Sequence, residues 1–136
     1  MREGQVITLN RVIHAPAASV YAAFTRAEGW CAWCCERAEC DGRVGGKFHI
    51  YTDGYNAYGE FTQLEEDRGI TFTFNGDKEP PTEITIRLDG QDGATNLLFQ
   101  VTLLDSIEDV DSFMTFLEGI WGHVLDNLKA VLERSV

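Results

Sequence analysis

Residues 111–134 carry Phe113, Leu117, Ile120, Trp121, Val124, Leu128, Val131 and Leu132 at helical spacing, after a series of segments that alternate as strands do. The pattern reads as one long amphipathic helix. At about 1.5 Å per residue it runs on the order of 36 Å, enough to cross the whole face of a small sheet. Such an apolar stripe needs a cover, and the strands that precede it are the available one.

The strands are legible from their period. Residues 6–14 alternate and are rich in β-branched side chains, and Ala15-Pro16 closes them. Pro16 suits the first turn of a helix, so a short helix is expected over 16–25 on the apolar side of Val20, Tyr21 and Phe24, with a second over 27–36. Gly45-Gly46 leads into a strand at 47–52, Asp53-Gly54 marks a hairpin turn, and further strands are expected at 58–64, 70–75, 83–88 and 95–104. In the later strands Ile70, Phe72 and Phe74, then Ile84, Ile86 and Leu88, then Leu97, Phe99, Val101 and Leu103 point one way, while the other face is mainly polar. Turn signals at Arg68-Gly69, Asn75-Gly76, Pro80-Pro81 and Gly90 to Gly93 make neighbouring strands consecutive hairpins. The expected fold is α+β: a curved antiparallel sheet of about six or seven strands wrapped around a long C-terminal helix, with two short helices after the first strand.

The chain has 136 residues and 44% apolar content, which suits one domain over 1–136 without staples. A net charge of −11 repels phosphate backbones and anionic lipid, so neither nucleic acid nor membrane is an expected partner. No apolar run follows a basic start and none approaches the ~20 residues of a membrane span, so no signal peptide is expected and the location expected is cytoplasmic.

Cys31, Cys34, Cys35 and Cys40 crowd together, and Cys31 with Cys34 makes a C-x-x-C. A closed zinc site wants two such pairs, and no second pair follows. A redox site wants the motif at a helix N-terminus in a parallel βαβ unit, which the pattern lacks. The expectation is no metal, no cofactor, and reduced thiols packed between Trp30 and Trp33.

For catalysis the histidines come first. His14 sits at a strand end, His49 alternates against Phe48 and Ile50 and so faces out, and His123 lies roughly 120° around the helix from the apolar stripe. All three read as solvated. Glu60 and Tyr58 are the remaining catalytic candidates, because the alternation of their strand is ambiguous. A Glu60 turned inward would have a raised pKa and serve as acid or base, and the outward reading stands beside it. Asp105, Glu108, Asp109 and Asp111 fall where a helix N-terminus favours negative charge, with Asp109 or Asp111 as its cap. No phosphate loop opens a helix, and no serine sits in a nucleophile elbow.

Ala15-Pro16 followed by Val20-Tyr21, the Trp30 and Trp33 segment, Arg43-Val44-Gly45-Gly46-Lys47-Phe48, Gly59, Thr73-Phe74, Thr95-Asn96-Leu97, and Gly119-Ile120-Trp121 leading to Leu125-Asp126-Asn127-Leu128 together form a recognisable order. In this order the chain resembles the SRPBCC or START-like helix-grip superfamily, which includes the birch-pollen allergen. The branch it is most similar to is that of the C-terminal domains of activators of heat-shock-protein-90 ATPase. The resemblance spans nearly the whole chain and implies a cavity between sheet and helix, with the short helices and the glycine hairpin near its mouth. It says little about activity, since the superfamily uses one vessel for many purposes.

A curved sheet leaves room beside a cylinder, and Phe48, Ile50, Phe72, Phe74, Phe99, Met114, Leu117 and Trp121, joined by Trp30 and Trp33, are the bulky candidates for a ligand wall. Plain core is the alternative for the same residues. The expected function is binding of an apolar or aromatic small molecule. The alternatives are a cyclase- or hydratase-like enzyme using the same cavity, and a chaperone-associated interaction domain. The last implies an additional partner-binding region that is not seen in the chain. A homodimer is one assembly compatible with these features.

Overall fold

The computed structural model describes residues 6–77, 79–105 and 107–134. In chain order the elements are β1 (Val6–Ile13), α1 (Ala17–Thr25), α2 (Ala27–Trp33), β2 (Arg37–Cys40), β3 (Lys47–Thr52), β4 (Tyr55–Glu65), β5 (Gly69–Gly76), β6 (Thr82–Gln91), β7 (Ala94–Leu103) and α3 (Val110–Arg134). The strands form one sheet of seven in the order β1-β7-β6-β5-β4-β3-β2, and every pairing is antiparallel. Six strands therefore descend by simple hairpins, and β1 closes the far side by pairing with β7. This is the helix-grip arrangement.

Local chemistry accounts for the corners. Asp53 and Gly54 have φ of 47° and 82°, and Asp92 and Gly93 have 53° and 81°, so both hairpins turn through paired left-handed residues whose twist suits a right-twisted ladder. Proline at position 16, with φ of −64°, leads into α1, and its carbonyl accepts from the N–H groups of Ser19 and Val20. At the start of α3 the Asp109 carboxylate accepts from Ser112 N–H at 3.4 Å, a long cap on the expected residue.

The core lies between the inner sheet face and α3. Ile70, Phe72, Phe74, Ile84, Ile86, Leu88, Leu97, Phe99, Val101 and Leu103 are all buried, as the alternation requires. From α3 come Met114, Leu117, Trp121, Leu125 and Leu128, a run with the 3.6-residue period. The β1 edge is closed by polar clasps from α3. Arg11 Nε meets Asp126 at 2.7 Å and its Nη2 donates to Gly122 O, while Lys129 Nζ reaches both Val12 O and Glu133 at 2.6 Å. An exposed strand edge is a template for unwanted pairing, and the Lys129 clasp engages one backbone group of β1, Val12 O. Among the described residues, no helix is long and apolar enough to cross a membrane.

Four details differ from the sequence reading. Residues 37–40 form a strand that the periodicity does not announce, since its inward residues are only Ala38 and Cys40. α2 stops at Trp33, short of 36, where Cys34 takes a non-helical conformation. Asn75-Gly76 belongs to β5, with Asn75 paired to Tyr58, and the turn comes later. On α3, Ile120 is 46% exposed and Leu125 wholly buried, so the stripe runs slightly around the helix from the expected line.

That rotation gives a direct test within one helix. Leu125→Ala is expected to destabilise the domain by about 2–5 kcal/mol, the range for emptying a core leucine site. Ile120→Ala is expected to cost less than about 1 kcal/mol, as surface changes do. Urea unfolding of the two variants measures both.

Candidate functional site

The expected ligand wall divides into two groups. Trp30, wholly buried, stacks on Trp33 and on Phe48 with ring centroids 5.4 Å apart in each case. Phe72 meets Phe48 edge-on at 5.3 Å, and Phe24 meets both tryptophans edge-on. Trp33 Nε1 donates to Ala23 O at 3.0 Å, which fixes α2 on α1. The Trp30 indole N–H finds no oxygen or nitrogen partner and has the Cys40 thiol beside it. Trp30, Trp33, Phe48 and Phe72 thus form an aromatic plug, while Phe99 and Met114 are buried in the packed interior. None of these six lines the cleft along the middle of α3, while Met114 and Trp33 border two smaller depressions.

Open space remains next to the plug. A cleft of about 370 Å³ lies between the middle of α3, the β3–β4 hairpin and the end of β5. Ile50, Phe74, Leu117 and Trp121 of the expected wall line it. Trp121 is held at its floor by Phe74 at 5.1 Å and Phe99 at 5.0 Å. Phe116 and Ile120, 50% and 46% exposed, form an apolar rim with Val124. Exposed aromatic and aliphatic side chains gathered around a concavity are uncommon and mark binding surfaces.

Cys34, Thr52, Tyr55, Glu79, Phe116, Ile120 and Val124 also line the cleft and were not among the expected wall residues. Two signals for them exist in the sequence. Phe116, Ile120 and Val124 recur every four residues beside the core stripe, and the Asp53-Gly54 turn pairs Thr52 with Tyr55. Tyr55 Oη donates to Glu79 Oε1 at 3.0 Å, an arrangement that needs glycine at position 76, because a Cβ there would lie 1.9 Å from the hydroxyl. Burial, then the charge of Glu79, raises the Tyr55 phenol above its ordinary value. Larger depressions of about 470 and 610 Å³ lie on the outer sheet face. Their linings mix polar and apolar groups: Thr62, Gln63, Glu65 and Arg87 with Val44 and Leu64 in one, and Glu36, Arg37, Glu39 and His49 with Cys31 and Tyr51 in the other.

The catalytic candidates lie elsewhere. Ala57 and Phe61 are the buried residues of their strand, so the two-residue period turns Tyr58 and Glu60 outward, and both are exposed. Tyr58 stacks on His49 at 4.5 Å, and His49 Nε2 shares a 2.7 Å hydrogen bond with Asn56. Of the two orientations that the sequence leaves open for Glu60 and Tyr58, both residues take the outward one. All four cysteines are free thiols. Cys31 and Cys35 are 4.0 Å apart, and among the described residues no three metal-ligating side chains converge.

A curved seven-strand antiparallel sheet gripping a long C-terminal helix, with two short helices after the first strand, defines the class as a helix-grip fold. The sequence model of the family described as "Activator of Hsp90 ATPase homolog 1-like protein" matches residues 14–133, and the chain belongs to that family. No curated protein matches the sequence. Among solved structures, protein MLL2253 from Mesorhizobium loti is similar with a TM-score of 0.84 at 19% identity, over 97% of this chain and 99% of that one. The Aha1 dimer from Colwellia psychrerythraea gives 0.81 at 23% identity, over 94% and 96% of the two chains. PFC0360w, an HSP90 activator from Plasmodium falciparum, gives 0.80 at 19% identity, over 95% and 96%. At these identities the structures report the shared fold.

The thiols yield a prediction with a definite sign. Burial is the main cause that pushes Cys34 and Cys35 from 9.0 to about 12 and Cys40 to about 11. Folded thiols stay protonated where unfolded ones ionise, so this contribution to stability is whole below pH 9.0 and is lost as the pH rises toward 12. Thermal melts from neutral to alkaline pH are expected to show that decline, shallower in Cys34→Ala. At neutral pH, iodoacetamide is expected to label exposed Cys31 well before the other three, read by mass spectrometry.

Proposed function

We propose that the protein binds an apolar or aromatic small molecule in the cleft beside Trp121. The observation that carries this reading is the apolar rim of Phe116 and Ile120, left half in water around a concavity floored by Trp121 and Phe74. Stable surfaces seldom gather such side chains around a hollow unless something covers them. A volume of about 370 Å³ suits a molecule of a few fused rings. The free thiols and the outward positions of Glu60 and Tyr58 supply no reaction centre in this reading.

A second reading has a specific motive. The likeness to the Plasmodium falciparum HSP90 activator favours a protein contact through the same rim. A paired assembly, as in the Colwellia relative, is carried as part of either reading, and sedimentation equilibrium tests it.

Nile red is expected to bind with one-to-one stoichiometry and an emission shifted to the blue. Phe116→Glu or Ile120→Lys, at exposed positions that leave the core intact, is expected to weaken binding at least about ten-fold without lowering the melting temperature. Binding that survives both substitutions places the ligand elsewhere. Failure of the unaltered chain to take up any apolar probe removes the container reading and leaves the protein-contact one.

A further inference from the structure

The polar lining of the cleft specifies more than its shape, and the inference below rests on the container reading. Among the described residues that line the cleft, Glu79 is the one charged group. A carboxylate offers oxygen acceptors and no proton. Its partner Tyr55 has one proton, and that proton is committed to Glu79 Oε1 at 3.0 Å, so the phenol oxygen retains only acceptor capacity. Burial, then the negative charges of Glu79 and Asp77, holds the phenol in its protonated form, which keeps the pair in this sense. Cys34 contributes a neutral thiol and Thr52 a hydroxyl. The apolar cavity therefore ends in a corner that accepts hydrogen bonds and carries negative charge.

The corner is built rather than incidental. Gly76 is buried, and a Cβ on it would stand 1.9 Å from the Tyr55 hydroxyl and 2.3 Å from Glu79 Oε1. The pair occupies the volume that any other residue at position 76 would take. Behind it Asp77 Oδ2 accepts from Asn56 N–H at 3.0 Å, which ties the loop after β5 to the β3–β4 hairpin. The loop is thereby held where its next acidic residue meets Tyr55.

We propose that the cleft selects an apolar or aromatic molecule bearing an amine, its ring system lying against Trp121 and Phe74 and its ammonium group on Glu79. An ammonium has donors only, so it complements the one charged group of the corner, an acceptor carboxylate, and charge-assisted hydrogen bonds are roughly twice as strong as neutral ones. A carboxylate ligand would set like charges together in a partly dry site and is rejected. Neutral rings bind through the apolar floor alone.

Three ligands with one ring system decide the matter: naphthylmethylamine, methylnaphthalene and naphthoate, each displacing Nile red at neutral pH. On the unaltered chain the amine is expected to displace the probe at roughly ten-fold lower concentration than methylnaphthalene, with naphthoate weakest. Glu79→Gln is expected to erase the amine's advantage while leaving methylnaphthalene unchanged, and Glu79→Lys to transfer the advantage to naphthoate. Circular dichroism establishes that both variants fold, and the series on the unaltered chain does not depend on them. An amine no better than methylnaphthalene overturns the inference and leaves the container intact. An amine advantage that persists in folded Glu79→Gln also overturns it, tracing the preference to the overall charge of −11 instead. Absence of Nile red binding removes the container reading and this inference with it.

Discussion

Everything in this molecule is arranged around the contact of Phe48 with the bare backbone of Gly59. A Cβ at position 59 would stand 2.3 Å from the Phe48 ring and 2.1 Å from Thr73 O. Glycine lets the ring lie flat across its neighbour strand, where it carries Trp30 on its other face and Phe72 at its edge. Through this stack α2 is packed into the core, since Trp30 and Trp33 are its buried side chains, while α1 packs on β6 and β7. Close-packed aromatics occupy this part of the space between the sheet and the helices.

Once that region is closed, the free volume has to lie elsewhere along α3. The helix makes its firm contacts through Leu125 and Leu128, both wholly buried, and through the clasps that bind Arg11 and Val12 of β1. Its earlier turns face the β3–β4 hairpin, whose inward residues there are Ile50 and Ala57 rather than a second aromatic layer. Ala57 is small, and the hairpin tip turns away through Asp53 and Gly54. Trp121 fills part of the resulting space by leaning on Phe74 and Phe99, and the remainder is the cleft. The apolar rim of Phe116 and Ile120 is thus the part of an otherwise ordinary amphipathic helix that the sheet does not reach.

The reading from sequence succeeded where a period repeats and failed where one residue decides. The alternation in β5, β6 and β7 and the long period of α3 identify the layers, because each is repeated over many residues and a slip of one would bury polar groups. The strand at 37–40 is too short to show a period, and its alternate residues are charged. Size alone does not separate a ligand wall from plain core, since bulk fills space whether or not space is to be left open, and four of the ten bulky candidates line the cleft. Exposed Phe116 and half-buried Tyr55 carry the opposite signature, an aromatic that the core does not claim. That property is a difference between composition and coverage, and it becomes visible only when the sheet's reach along the helix is known.

The chemistry of the cleft therefore lies with elements that the fold leaves free to vary. Strand positions facing α3 are constrained to be apolar by the cost of an unpaired polar group in the interior. Tyr55 stands at a hairpin start and Glu79 in the connection after β5, where solvent already meets part of each side chain, so a polar pair there costs little and alters no core contact. Gly76 then does for this pair what Gly59 does for Phe48, removing a side chain so that a neighbour may occupy its volume. One glycine closes the vessel with aromatics, and the other admits a single carboxylate to its open corner. A helix-grip chain with the same strands and a different connection after β5 would keep the cleft's apolar floor and change the polar groups at its corner.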